Sequence, residues 1–294
     1  MAKILITGAT GSLGQEIVKQ LLDRTAASNL AVLVRDEAKA VAFKAKGIEV
    51  RTGNYDDYES LVAAFRNIDK LYFISGNDIV KRVTQHENVV KAAQEAGVKH
   101  VFYTSFQRKN ESADSPIAQL AEGHIVTERL LKESGLTYTL LRHNIYMDFI
   151  PMFTGDKVLE TGTVFFPSGE GKLNVMLRSE MAEIGANVLT QDGHENKVYN
   201  VSGAVGYSFG DVAHIISAIT GKSIAFVSPD VATYKNVLQQ AGVPQEYVEM
   251  FAGFGEAFKQ GEFDTDTNDG EALLGRKSTT LELFLGKVYA PAVV

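Results

Sequence analysis

Three glycines follow a short apolar segment near the start of the chain, at Gly8, Gly11 and Gly14. The first glycine permits a sharp turn off a strand, the second lets a ligand approach the backbone, and the third lets the next helix pack closely. A helix beginning near Ser12 directs its unpaired N–H groups at the same place, where they favour a phosphate. This spacing predicts a dinucleotide site, and the alternative is a tight strand-to-helix connection that binds no ligand.

The surrounding pattern favours the dinucleotide interpretation. Ile17, Val18 and Leu21 recur at helical spacing after the glycines, and a second apolar strand over 30–34 follows at the distance that a βαβ unit requires. Ligands of such folds bind at the carboxyl ends of the strands, so we expect the site in the segments that follow them. The residues predicted to contact the cofactor are Gly8, Ala9, Thr10, Gly11, Ser12, Leu13, Gly14, Arg35, Ser75, Gly76, Asn77, Thr104 and His143.

The end of the second strand distinguishes between two dinucleotides. Sites that prefer NAD commonly place an acidic residue there to bind the ribose 2′-hydroxyl. Here Arg35 and Asp36 occupy the position, and an arginine can bind a 2′-phosphate through charge-assisted hydrogen bonds. The sequence therefore predicts NADP(H), unless Arg35 only pairs with Asp36 or Glu37. Residues 54–57 are expected to line the adenine pocket, although their aspartates suit a helix N-cap equally well.

Composition limits the other classes of function. The chain has 294 residues, a formal net charge of -7 and no cysteine, which excludes disulfides and thiolate chemistry. The acidic balance argues against a nucleic-acid partner, and no apolar run is long enough to cross a membrane, so we expect a cytoplasmic protein. His86, His124 and His143 lie in separate elements without ligand spacing, and no metal site is expected.

Apolar strands alternate with helical patterns through the first half of the chain, which predicts a Rossmann-type, doubly wound parallel sheet in an α/β protein. The expected helices include 57–65, 85–96 and 122–134. The alternation stops after residue 150, and the aromatic-rich remainder predicts a smaller α+β substrate lobe. We therefore expect a nucleotide-binding domain over 1–150, completed by a strand near 197–202, and a substrate lobe over 151–294.

Several longer motifs suggest a family. The segments 7–14, 34–35, 92–105 and 134–142 together resemble the NmrA-like atypical short-chain dehydrogenases, and within them the bacterial NADPH:quinone oxidoreductases of type 2. The resemblance implies a Rossmann domain, a small C-terminal lobe and NADP(H) without flavin. It also implies two kinds of relative, since some members are reductases and others bind the nucleotide as regulators.

The chain departs from ordinary short-chain dehydrogenases at the proton donor, because none of its eleven tyrosines is followed four residues later by lysine. In the resemblance, His124 stands at the position where the pinoresinol and isoflavone reductases carry a lysine. The quinone reductases have a histidine at the same position. The departure favours an acceptor that needs little acid assistance, such as a quinone. Asn144 and Tyr146, after a predicted strand, are the candidates for orienting the acceptor, and His124 is the third candidate catalytic residue.

Each candidate also has a purely structural interpretation. His124 stands one helical turn from Glu128 and could be a buried helix histidine. Asn144 could bond its own backbone in a turn, and Tyr146 could be interface core. Three functions follow: an NADPH-dependent quinone reductase, a non-catalytic NADP(H)-binding redox sensor, or a reductase of azo or triphenylmethane dyes or of aromatic ethers. The sequence leaves the oligomeric state open.

Overall fold

The computed structural model describes residues 2–290, and its centre is a parallel sheet. The sheet has seven strands in the order β3-β2-β1-β4-β5-β6-β8. Strands β2 and β3 lie on one side of β1, and the later strands lie on the other side, so the order of the strands reverses between β1 and β4. Doubly wound folds bind their ligands at such a reversal. The strands are β1 Ile4–Ile6, β2 Leu30–Val34, β3 Glu49–Thr52, β4 Lys70–Phe73, β5 His100–Phe106, β6 Thr137–His143 and β8 Lys197–Val201, with a separate parallel pair of β7 Thr163–Phe165 and β9 Ala225–Val227.

Thirteen helices surround the two sheets in the described residues 2–290. They are α1 Ser12–Leu22, α2 Val41–Ala45, α3 Tyr58–Phe65, α4 Arg82–Glu95, α5 Ala118–Glu133, α6 Ile150–Thr154, α7 Val158–Thr161, α8 Arg178–Thr190, α9 Phe209–Thr220, α10 Val231–Gln240, α11 Gln245–Lys259, α12 Gly270–Leu274 and α13 Leu281–Tyr289.

Alternate residues of the strands supply two separate cores. Ile4 and Ile6 lie in the core that also includes buried residues of α1 and α8, while Leu5 lies in the core formed with α3, α4 and α5. Both faces of the sheet are therefore covered, and the central strands read as continuous apolar runs because both faces of each strand are buried. This burial fixes the register of the strands and holds their carboxyl ends at one edge.

The remaining elements form a third core that is rich in phenylalanine. Phe153, Phe166, Phe209 and Phe258 are buried there, with ring centroids of neighbouring pairs 4.7–6.0 Å apart. The chain leaves the sheet after β6 and returns to it through α8, β8 and α12, so the lobe is built from segments on both sides of this return. The aromatic residues of the second half serve mainly as packing.

The strands predicted over 30–34 and near 197–202 match β2 and β8, and the Rossmann-type α/β class is confirmed. Helices α4 and α5 begin three and four residues earlier than predicted. In the first turn of α4, Arg82 and Gln85 are buried polar residues, which interrupt the apolar pattern. Helix α8 was not predicted at all. Among residues 2–290, no helix is both long and apolar enough to span a membrane.

Candidate active site

A cleft of about 880 Å³ runs along the carboxyl ends of the strands. It extends from the end of β2 across the reversal between β1 and β4 to the residues that follow β6. The residues that line it are Gly8, Thr10, Gly11, Ser12, Leu13, Gly14, Leu33, Val34, Arg35, Gly53, Asn54, Tyr55, Asp56, Ile74, Ser75, Gly76, Asn77, Asp78, Lys81, Gln85, Thr104, Tyr146, Phe149 and Arg178. An elongated cleft of this size suits a dinucleotide together with a small second ligand.

The three glycines play different parts in the cleft. Gly8 has a φ of +60°, which favours glycine, and a Cβ on Gly14 would lie 2.3 Å from the Gly8 carbonyl oxygen. Gly11 has an ordinary extended conformation, and its added Cβ would meet only that same oxygen, at 3.3 Å. The fold therefore requires glycine at positions 8 and 14, whereas at Gly11 the open side faces the cleft. A pyrophosphate in contact with the backbone would explain the third glycine.

The N-terminus of α1 borders the cleft beside these glycines. Gly11 is the N-cap of α1 and has no side chain to satisfy the N–H groups of the first turn. Ser12, Leu13 and Gly14 all line the cleft. A phosphate placed there would receive hydrogen bonds and the favourable end of the helix dipole, so this turn fits the group that the sequence predicted.

Arg35 is exposed at the end of β2 and lines the cleft. Its two acidic neighbours are engaged elsewhere, since Asp36 accepts from the Ala38 N–H at 2.9 Å and Glu37 accepts from Lys44 at 2.7 Å. Arg35 therefore does not form the ion pair with these carboxylates that the alternative interpretation predicted. Its guanidinium is available to an anion in the cleft.

The backbone that follows β4 is held by side chains from other elements. The Ile74 N–H donates to Thr7 Oγ1 at 3.0 Å, and the Ile74 carbonyl accepts from the Tyr55 hydroxyl at 2.8 Å. The Ser75 N–H donates to Thr104 Oγ1 at 3.0 Å. Two predicted site residues thus contact each other, and Tyr55, within the predicted segment 54–57, links the strand ends on either side of the reversal.

Tyr146, Phe149 and Arg178 form the end of the cleft beyond β6. The Arg178 guanidinium carbon lies 4.9 Å from the ring centroid of Tyr146 and 5.2 Å from that of Phe149. Burial raises the pKa of the Tyr146 hydroxyl to about 12. Tyr146 therefore remains protonated at neutral pH and is a hydrogen-bond donor rather than a ready source of protons. This end offers aromatic surface and a cation to a flat ligand.

Asn144 and His143 lie behind the wall of the cleft rather than in it. The Asn144 side-chain amide donates to the Phe263 carbonyl at 3.0 Å, and its oxygen accepts from the Ile145 N–H at 2.7 Å. These bonds agree with the structural alternative for Asn144, a residue that bonds adjacent backbone. His143 is buried, with Nδ1 3.4 Å from the Tyr146 hydroxyl, and burial lowers its pKa to about 4.

His124 is also buried and does not line the cleft. Its Nδ1 lies 2.8 Å from the Tyr103 hydroxyl, and burial together with nearby Arg82 lowers the pKa of His124 well below its usual value. Glu128, its neighbour on α5, is instead bound by Arg108 and Arg142. Within residues 2–290, no group of three acidic, histidine or cysteine side chains is arranged to hold a metal ion.

Most of the predicted cofactor residues line the cleft, and Ala9 and His143 do not. Sequence reasoning missed Lys81, Gln85 and Arg178. Gln85 marked the start of the predicted helix, but its position in the sequence did not reveal that it faces the cleft. Arg178 lies at the first turn of α8, the helix that periodicity did not reveal. The cleft is lined by three basic residues, Arg35, Lys81 and Arg178, and by two acidic ones, Asp56 and Asp78, although the whole chain has a net negative charge.

Comparison with known proteins defines the family. Residues 1–285 match the model of the NmrA-like family, and the chain belongs to it. Quinone oxidoreductase 2 of Escherichia coli strain K12 is 34% identical over 278 residues, which cover 95% of this chain and 96% of that protein. The family resemblance inferred from the sequence motifs is therefore confirmed.

Two solved structures share the fold over nearly the whole chain. The triphenylmethane reductase of Citrobacter sp., in complex with NADP(H), is 37% identical with a TM-score of 0.90, and the match covers 97% of this chain and 99% of that one. An NADPH-dependent quinone oxidoreductase from Escherichia coli, in complex with NADPH, is 33% identical with a TM-score of 0.91 and the same coverage. Both relatives contain the cofactor that the sequence predicted.

Proposed function

We propose that the protein is an NADPH-dependent oxidoreductase that reduces quinones by direct transfer of a hydride, without flavin. The observation that carries this proposal is one cleft that joins the glycine turn at the N-terminus of α1 to an aromatic end. The relatives support the general activity, because those described above are reductases that use NADP(H) or act on quinones. The choice of a quinone as acceptor is the finer part of the proposal.

The two halves of the cleft would bind different parts of the cofactor. Arg35 would bind the 2′-phosphate, and the first turn of α1 with Gly11 would bind the pyrophosphate. Ser75, Gly76 and Thr104, beyond the reversal of the sheet, would bound the nicotinamide half. The bound cofactor supplies the hydride from its reduced nicotinamide ring.

The acceptor end suits a reaction that needs no strong acid from the protein. A quinone that accepts a hydride becomes a hydroquinone monoanion, and one proton from water completes the product. Tyr146 would donate a hydrogen bond to the developing oxyanion while keeping its own proton, since its pKa is about 12. Phe149 would pack against the ring of the acceptor, and much of the rate would come from holding the two rings in register.

The test is to incubate the protein with NADPH and a benzoquinone and to follow the absorbance of the reduced nicotinamide. We expect oxidation of NADPH and formation of hydroquinone in equal amounts, with no flavin added. A protein that binds NADPH but leaves its oxidation at the uncatalysed rate with several quinones would instead be a redox sensor. The absence of the usual Tyr and Lys pair makes that outcome chemically coherent.

A second acceptor class is favoured by the likeness to the triphenylmethane reductase. A triphenylmethane dye is a carbocation, so its central carbon can take up a hydride and form the colourless product without any proton. Loss of dye colour together with NADPH oxidation measures this activity in the same assay. If the rate with the dye exceeds the rate with every quinone, then the quinone assignment gives way to a dye-like cation.

A further inference from the structure

Residues 74–76, which we call the β4 shelf, form the cleft wall after β4, and Gly76 is held there by one helix. The Gly76 N–H donates to His86 Nε2 at 2.9 Å, and the Gly76 carbonyl accepts from Arg82 Nε at 2.8 Å. Both side chains come from the first turns of α4, and both are buried. Neither side chain lines the cleft itself. Together they bind both backbone polar atoms of one residue in the wall.

The partners of His86 fix its protonation. Its Nδ1 lies 2.7 Å from Thr127 Oγ1, and the Thr127 hydroxyl donates its own proton to the Gly123 carbonyl. The hydroxyl oxygen must therefore accept from His86 Nδ1–H, which leaves Nε2 as the acceptor that Gly76 needs. Burial and nearby Arg82 lower the pKa of His86 to about 3, so the imidazole stays neutral at physiological pH.

Arg82 connects the same glycine to a second helix. A terminal nitrogen of its guanidinium donates to the Leu120 carbonyl at 3.1 Å, in the first turn of α5. Its aliphatic part lies over Gly123, where an added Cβ would be 2.6 Å from Arg82 Cδ. Only glycine at position 123 leaves room for this side chain. The positions of α4, α5 and the β4 shelf are thus linked through two buried side chains.

We propose that His86 and Arg82 are positioning residues for the reductase, which hold the β4 shelf in the geometry that hydride transfer requires. The inference rests on the proposed function, because that function places the reacting rings beside the shelf. Arg35 and the turn at Gly11 lie on the other side of the sheet reversal and have no bond to either side chain. Releasing Gly76 should therefore affect the reaction more than the binding of the nucleotide.

The test compares His86→Leu, which removes the acceptor, with His86→Gln, whose side-chain oxygen can still accept from the Gly76 N–H. For His86→Leu we expect kcat/KM for benzoquinone to fall roughly ten- to hundredfold. The Kd for NADPH should stay within about threefold, a difference of under 1 kcal/mol. His86→Gln should recover a substantial part of the activity. Arg82→Met is the second variant if His86→Leu does not fold.

His100→Leu is the matched control. His100 is a buried histidine that bonds a threonine hydroxyl, Thr139 Oγ1 at 2.8 Å, but it stands at the amino end of β5, away from the cleft. It should lose thermal stability as His86→Leu does, yet keep the kcat/KM of the wild type. Equal losses of activity per folded molecule in the two variants would overturn the proposal, as would unchanged activity in His86→Leu.

A further measurement separates this inference from the function on which it rests. If the wild type reduces no acceptor, the proposed function fails, and the fluorescence of bound NADPH then reports on the shelf. We expect His86→Leu to change the nicotinamide emission of bound NADPH, with His86→Gln closer to the wild type. Identical emission from all three proteins would overturn the positioning role irrespective of turnover.

Discussion

Replacing Arg35 with alanine should convert a protein that prefers NADPH into one that binds NADPH and NADH about equally. Arg35 is exposed, lines the cleft, and has neighbouring carboxylates that are already occupied by Ala38 N–H and Lys44. A hydrogen bond between charged groups contributes about 1.5–3 kcal/mol. At about 1.4 kcal/mol for each tenfold change, the Kd for NADPH should rise roughly 10- to 100-fold.

The assay is titration of NADPH and NADH by nicotinamide fluorescence, at two salt concentrations. The Kd for NADH should change little, because NADH lacks the 2′-phosphate. Lys132→Ala, which removes an exposed charge near the end of α5 and outside the cleft, controls for net charge. Added salt should weaken NADPH binding to the wild type more than to Arg35→Ala, since screening acts on the lost ion pair. An unchanged ratio of the two dissociation constants in Arg35→Ala would refute the reasoning.

Three other predictions address the glycines, the histidines and a buried carboxylate. Gly14→Ala should lower the free energy of unfolding by several kcal/mol, because its Cβ would stand 2.3 Å from a carbonyl oxygen. Gly11→Ala should keep its free energy of unfolding within about 1 kcal/mol of the wild type and still bind NADPH poorly. Equal melting temperatures for the two variants would contradict this. The pKa values of His86 and His143, about 3 and 4, lie below the value in the unfolded chain, so the unfolded chain binds more protons. The free energy of unfolding should therefore fall as the pH drops below about 6.5, by roughly 2 kcal/mol for each histidine at pH 5. Denaturant unfolding at pH 7 and pH 5 measures this loss, and equal stabilities would be inconsistent with neutral buried histidines. Burial acts to raise the pKa of Glu128, but hydrogen bonds from two arginines outweigh it and hold the pKa at about 2. Glu128→Gln should therefore lower the free energy of unfolding by roughly 3–5 kcal/mol in the same experiment. A loss below about 1 kcal/mol would mean that the arginines find other partners.

The sheet could be predicted from the sequence because its strands are buried on both faces and are separated by clear turn signals. Helices were harder to predict where residues near the cleft interrupt the helical spacing of apolar residues. Helix α4 begins at Arg82, and Arg82, Gln85 and His86 are buried polar residues in its first turns, which periodicity of apolar residues cannot detect. Helix α8 was missed for a related reason, since it follows a segment without regular alternation and begins with Arg178 in the cleft wall.

The nucleotide end of the candidate site was more predictable than the acceptor end. The glycine turn and Arg35 are close in sequence, and the turn geometry dictates the residue types, so the local sequence carries the signal. The acceptor end combines Tyr146 and Phe149 after β6 with Arg178 from α8, and Asn144 turns away from it to bond Phe263. Whether a side chain at such a position faces the cleft depends on long-range packing, which a single sequence does not record.

The difference between the two ends of the cleft separates the binding of the nucleotide from the transfer of its hydride. The turn at Gly8, Gly11 and Gly14 requires only a strand and a helix, so a relative that no longer catalyses could keep it intact. His86 accepts a hydrogen bond from the Gly76 N–H and Arg82 donates one to the Gly76 carbonyl, and neither side chain lines the cleft. Their buried polar groups need an exact set of partners, which is costly to maintain for binding alone. A chain that only senses NADP(H) would need the glycines, whereas one that transfers a hydride also benefits from a fixed wall beside the reacting ring.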